Sequence, residues 1–94
     1  MTGSTTELTV DHPHGLHLRP AARFVKLAAS LGLPIAVTNL TRDPERHASA
    51  RSLLQITGLG IDQGHRIRIE ATGEGAEQAV DALRALVESG FAEG

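Results

Sequence analysis

The sequence predicts an α+β fold: an open-faced two-layer β-α-β-β-α-β-α sandwich, with an antiparallel four-stranded sheet in the order 1-4-2-3 and its helices on one face. Three observations predict it. Stretches in which polar and apolar residues alternate are interleaved with stretches of helical period. A β-α-β crossover sets the first two strands parallel and leaves a gap that the fourth strand fills antiparallel to both. The third is size: 94 residues, 40% of them hydrophobic and 21% charged, suffice for one core and one domain spanning 1–94.

From Thr6 to Val10 the chain alternates, with Leu8 and Val10 on one face, and Pro13 and Gly15 halt this first strand. Leu18 to Leu31 then has helical period. At 100° steps Arg19, Arg23, Lys26 and Ser30 share one polar arc, while Ala21, Ala22, Phe24, Val25, Leu27, Ala28, Ala29 and Leu31 fill the rest. Gly32 and Pro34 end that helix. Ile35 and Val37 mark a second strand, the polar Asn39 to Arg46 stretch around Pro44 a turn, and His47 to Ser49 a short third strand. Ser52 caps a short helix carrying Leu53, Leu54 and Ile56, which stops at Gly58 and Gly60. His65 to Thr72 alternates strictly, with Ile67, Ile69 and Ala71 inward. After Gly73-Glu74-Gly75, the residues Ala76, Ala79, Val80, Leu83, Leu86 and Val87 keep helical spacing towards Gly90.

Composition excludes several chemistries. With no cysteine there is no disulfide, no thiolate nucleophile and no Cys-based metal centre. Two aromatics, Phe24 and Phe91, give no stacking platform for bases, and a net charge of −2 argues against a broad nucleic-acid surface. A binder using Arg66, Arg68 and the Gly58-Leu59-Gly60 turn is the weaker reading, since outward arginines on a strand are ordinarily a solvated face. The start, Met1 to Thr6, is polar and uncharged, and no apolar run is long enough to span a bilayer. A cytoplasmic protein without membrane insertion is the expectation.

The richest local feature is Gly15-Leu16-His17-Leu18-Arg19-Pro20-Ala21-Ala22, which sets an imidazole where a loop becomes a helix. The first turn of a helix carries unsatisfied N–H donors and partial positive charge, so an anion near His17 can rest on main-chain amides with Arg19 closing over it. Pro20 fits, because early helical positions need no N–H. A neutral imidazole there offers one ring nitrogen as a nucleophile for a phosphoryl group. On spacing alone the plainer reading is preferred, a histidine that merely caps the helix beside a solvated arginine.

The stretch Gly15-Leu16-His17-x-Arg19-Pro20-Ala21-Ala22-x-Phe24-Val25-Lys26 closely resembles the active-site segment of HPr, the histidine-containing phosphocarrier family of the bacterial phosphoenolpyruvate:sugar phosphotransferase system. Ala48-Ser49-Ala50-Arg51-Ser52-Leu53-Leu54 and Leu59-Gly60-Ile61-x-Gln63-Gly64 resemble that family's second helix and the loop after it. The likeness runs from about Glu7 to about Val87. It implies a relay rather than an enzyme, needing no cofactor and expected as a monomer. His17 would take phosphate through Nδ1 from enzyme I and pass it to enzyme IIA-type proteins, with Arg19 assisting. It also makes Ser52 a candidate for a regulatory serine kinase, beside its capping role. Two departures stand out: Asn39 to His47 is longer than the family's usual hairpin, and His14 replaces a small polar residue.

Leu18, Leu53 and Leu54, ringed by Arg19, Arg23, Lys26 and Arg51, form a candidate docking patch for acidic partners. The plain reading makes Leu53 core and the basic arc solvated. A rival function is a small metal-binding module, because His12, His14 and His17 put three imidazoles within six residues.

Overall fold

The alternating stretches pair as strands because each buries one row of apolar side chains and spends its backbone donors and acceptors on its neighbours. A computed structural model describes residues 3–91. The readings that fall on Met1, Thr2 and 92–94 lie outside them. The elements are β1 (Gly3–Thr9), α1 (Leu18–Leu31), β2 (Ile35–Asn39), β3 (His47–Ser49), α2 (Leu53–Gly58), β4 (Arg66–Thr72) and α3 (Ala76–Glu88). The sheet order is β1-β4-β2-β3 and every pairing is antiparallel. β4 therefore lies between β1 and β2, with Leu8 opposite Ile67 on one side and Val37 opposite Ile69 on the other.

Leu8, Val37, Ile67, Ile69 and Ala71 line the covered face of the sheet, and Phe24, Ala28, Ala79, Val80 and Leu83 meet them from the helices in one buried cluster. The opposite face of the sheet carries Glu7, whose carboxylate pairs with Arg68 at 3.1 Å and with Arg66 at 3.8 Å. Those arginines are ion-paired on the sheet rather than aligned as a cationic stripe. Among the described residues no helix is long and apolar enough to cross a membrane.

Three local expectations are corrected. β1 begins at Gly3 and stops at Thr9; Val10, fully buried, instead exchanges backbone bonds with the 62–65 turn, donating to the His65 carbonyl at 2.9 Å and accepting from Gly64 N–H at 2.7 Å. Ala22 and Ala29 of α1 are exposed, so the polar arc is wider than the helical wheel drew it. An alanine is too small to decide which face is buried.

Asn39 belongs to β2 and is 1% exposed, although its polarity suggested a turn. Its amide nitrogen donates to the Leu59 carbonyl and to His65 Nδ1, and its Oδ1 accepts from the N–H groups of Thr41 and Arg42. A buried amide with all these partners ties three segments together. The β2–β3 connection is tied to β4 by further hydrogen bonds. Leu40 N–H donates to the Arg66 carbonyl at 2.9 Å, and Arg66 N–H to Thr41 Oγ1 at 2.8 Å.

Candidate functional site

α1 starts where the sequence places it, and His17 is its N-cap residue, with extended backbone at φ −78° and ψ −171°. The side chain makes no capping hydrogen bond, and no acidic residue sits in the first turn. The imidazole is therefore not used for capping, and the N–H groups of Leu18 and Arg19 head an open helix end. The ring is 62% exposed and its Nε2 lies 2.8 Å from Asp62 Oδ1.

Gly15 makes this meeting possible. Its φ of +55° lies in the left-handed region, and a Cβ there would fall 2.3 Å from the Ile61 carbonyl oxygen and 2.7 Å from Asp62 Cα. Only a glycine lets the two loops approach so closely. Leu16, 1% exposed, anchors the join: its N–H donates to the Ile61 carbonyl at 2.9 Å.

His17, Arg19 and Pro20 share a pocket of about 400 Å³ with His12, His14, Arg23 and Phe91. Phe91 was legible in the sequence only as a stray aromatic. Here it is 1% exposed, takes a left-handed φ of 62° just after α3, and stands edge-on to His12 with ring centres 5.4 Å apart. Arg23 is half-buried and donates from Nη1 to the Phe91 carbonyl at 2.6 Å, so it is docked against the turn after α3. Arg19 is exposed at the pocket.

The three neighbouring imidazoles do not converge. His12 Nδ1 accepts the His14 N–H at 3.1 Å, His17 faces Asp62, and no group of three or more His, Cys, Asp or Glu among the described residues could hold a metal ion. The residues present do not fit the metal-module reading.

α2 packs beside α1. Leu18 and Leu54 are 67% and 83% exposed, whereas Leu53 is half-buried against the core, as its plain reading had it. Lys26 and Arg51 are exposed. Ser52 caps α2, its Oγ accepting the Gln55 N–H at 3.2 Å.

The described residues thus form an open-faced sandwich with an exposed imidazole at the start of α1 and arginines beside it. Residues 4–89 match the family described as PTS HPr component phosphorylation site. The chain belongs to this family, the HPr proteins. It is 36% identical over 86 residues to the phosphocarrier protein HPr of Streptomyces coelicolor, covering 92% of this chain and 89% of that one. It is 42% identical over 85 residues to a multiphosphoryl transfer protein of Haemophilus influenzae. The chain spans only 17% of that protein and 24% of its Salmonella typhimurium counterpart. Among solved structures it resembles HPr from Thermoanaerobacter tengcongensis with a TM-score of 0.87 and 33% identity, over 97% of this chain and 98% of that one.

Proposed function

We propose that this chain is a phosphocarrier that accepts a phosphoryl group on His17 Nδ1 from enzyme I, phosphorylated by phosphoenolpyruvate, and passes it to enzyme IIA-type proteins for sugar uptake or regulation. The observation that carries this reading is the exposed His17 ring at the open end of α1, with no capping bond and Arg19 at the same pocket. In-line transfer asks little covalent chemistry of a protein. It needs a placed lone pair and donors for the three equatorial oxygens, which the Leu18 and Arg19 N–H groups and the Arg19 guanidinium supply. The product holds its phosphoryl group on nitrogen, so it remains a donor. Docking uses Leu18 and Leu54 as an apolar centre, Leu53 as their support, and Arg19, Lys26 and Arg51 as the cationic rim, with Arg23 bracing the pocket. The chain works as one HPr-like unit spanning 1–94, a cytoplasmic monomer without a cofactor. Incubation with phosphoenolpyruvate and enzyme I, followed by mapping of acid-labile phosphate, tests the reading: the phosphate belongs on His17, and its appearance elsewhere would refute the assignment.

Arg19→Ala is expected to slow transfer from enzyme I by about a hundredfold, the usual effect of one charged donor at a transferring group. Stability should change by less than about 0.5 kcal/mol, because the side chain is exposed. Single-turnover rates and thermal melts measure both, and a parental rate would remove Arg19 from the site.

A regulatory serine kinase acts, in this reading, on Ser52, which lies between the exposed Leu54 and the cationic Arg51. The support is its place in the docking patch and its family likeness. Ser52→Asp should keep the fold, since Asp is also a good N-cap, yet slow phosphorylation of His17 about tenfold by setting negative charge in a surface that receives acidic partners. Ser52→Ala should cost about 1 kcal/mol of stability through the lost cap and transfer nearly normally. If Ser52→Asp transfers as fast as the parent, Ser52 is a cap and nothing more.

A further inference from the structure

We propose that Asp62 is a positioning residue for phosphoryl transfer: its carboxylate holds the proton of His17 on Nε2, which leaves Nδ1 as the nucleophilic ring nitrogen. This rests on the reading of His17 as the acceptor and adds to it a residue outside the helix-start motif. The two side chains are 45 positions apart in the chain and meet at 2.8 Å. A carboxylate is only an acceptor, so the nitrogen facing it must carry the hydrogen. In a neutral imidazole the other nitrogen then holds the lone pair, and the hydrogen bond also fixes the ring's direction.

Asp62 is itself held in place. Its N–H donates to His65 Nδ1 at 3.1 Å, and its carbonyl accepts the His65 N–H at 3.1 Å. His65 Nδ1 also receives the amide of buried Asn39 at 3.1 Å. Leu16 N–H reaches the neighbouring Ile61 carbonyl, and Gly15 leaves the room for it. These bonds fix the backbone of Asp62 beside the start of α1, so that its carboxylate and the exposed His17 ring meet from two joined loops.

In the transfer step the Nδ1 lone pair forms the bond to phosphorus, and the bond from phosphorus to the donor's leaving atom breaks with its electron pair going to that atom. The proton on Nε2 stays where it is. The ring gains positive charge as the bond forms, and the adjacent carboxylate stabilises that charge. When the group is passed on, the same events run in reverse.

The test uses the intact chain. Imidazole NMR of the unphosphorylated protein, recorded where the rings are neutral, is expected to show His17 with Nε2 protonated and Nδ1 bare. In Asp62→Ala the two nitrogens should move towards a mixture of both tautomers. Single-turnover transfer from enzyme I should fall about tenfold in Asp62→Ala, between the few-fold effect of an exposed pair and the hundredfold effect of a fully enclosed donor. Asp62→Glu should recover most of both signals. Thermal stability is expected to stay near parental in each variant, since the backbone bonds of Asp62 remain. Parental ring shifts in Asp62→Ala overturn the proposal, as does a parental transfer rate. The His17→Ala variant, run alongside, separates the two readings: if it still accepts phosphate, the acceptor assignment fails, while the ring measurement still judges Asp62.

Discussion

His17→Ala is expected to accept no phosphoryl group from enzyme I while remaining folded. The loss is complete because the substitution removes the nucleophile itself, whereas the amides and arginines around it can only orient and stabilise. The fold survives because the ring is 62% exposed, caps nothing and meets only an exposed carboxylate, so the change should cost less than about 1 kcal/mol. Two other imidazoles, His12 and His14, lie at the same pocket, which makes site mapping more telling than total incorporation. Phosphate on either of them in the variant, at a rate near the parent's, would mean that the pocket and not His17 selects the acceptor. A variant that melts as the parent does and gains no acid-labile phosphate is the expected result.

The site was only partly readable before folding, and the reason is distance along the chain. Gly15 to Ala22 announces itself because a helix start is a local event, signalled by the Pro20 and Gly15 that it needs. The bounds of α1, the capping Ser52 and the alternation of β4 are local in the same sense, and the structure keeps all three. Asp62 gave no such signal. It stood at the open position of Leu59-Gly60-Ile61-x-Gln63-Gly64, where any residue would have satisfied the resemblance, and only the join between the two loops gives it a histidine to face. Asn39 was misread because polarity is taken as exposure unless partners are known, and its partners come from Leu59, His65 and the following turn. Phe91 follows the last helix, where no periodicity remains to place it. It is buried in the core cluster, and the partners Arg23 and His12 that meet it come from the other end of the sequence.

Gly15→Ala is expected to damage stability and transfer together, more than any other single methyl group added near the site. Alanine at a φ of +55° is strained by about 1 kcal/mol. Its Cβ would also stand 2.3 Å from the Ile61 carbonyl oxygen and 2.7 Å from Asp62 Cα. Both are backbone atoms, so neither can swing aside as a side-chain tip would. The loops must part, and the first bond to stretch is the one from Leu16 N–H to that same carbonyl. Overpacking of this kind adds about 2 kcal/mol. With roughly 4–8 °C for each kcal/mol in a domain of this size, a total of about 3 kcal/mol lowers the melting temperature by about 12–24 °C. Transfer should fall as well, even where the variant is fully folded, because parting the loops draws His17 from Asp62 and tilts the start of α1. Gly32→Ala provides the comparison: Gly32 has a φ of +70° but nothing within 4 Å of its Cβ position, so it carries the conformational strain of about 1 kcal/mol without the collision. Denaturation curves for both variants isolate the collision as their difference, and single-turnover rates below the lower melting point show whether it reaches the histidine. If Gly15→Ala were no less stable than Gly32→Ala and transferred at the parental rate, the close approach of the two loops would have no part in holding the site.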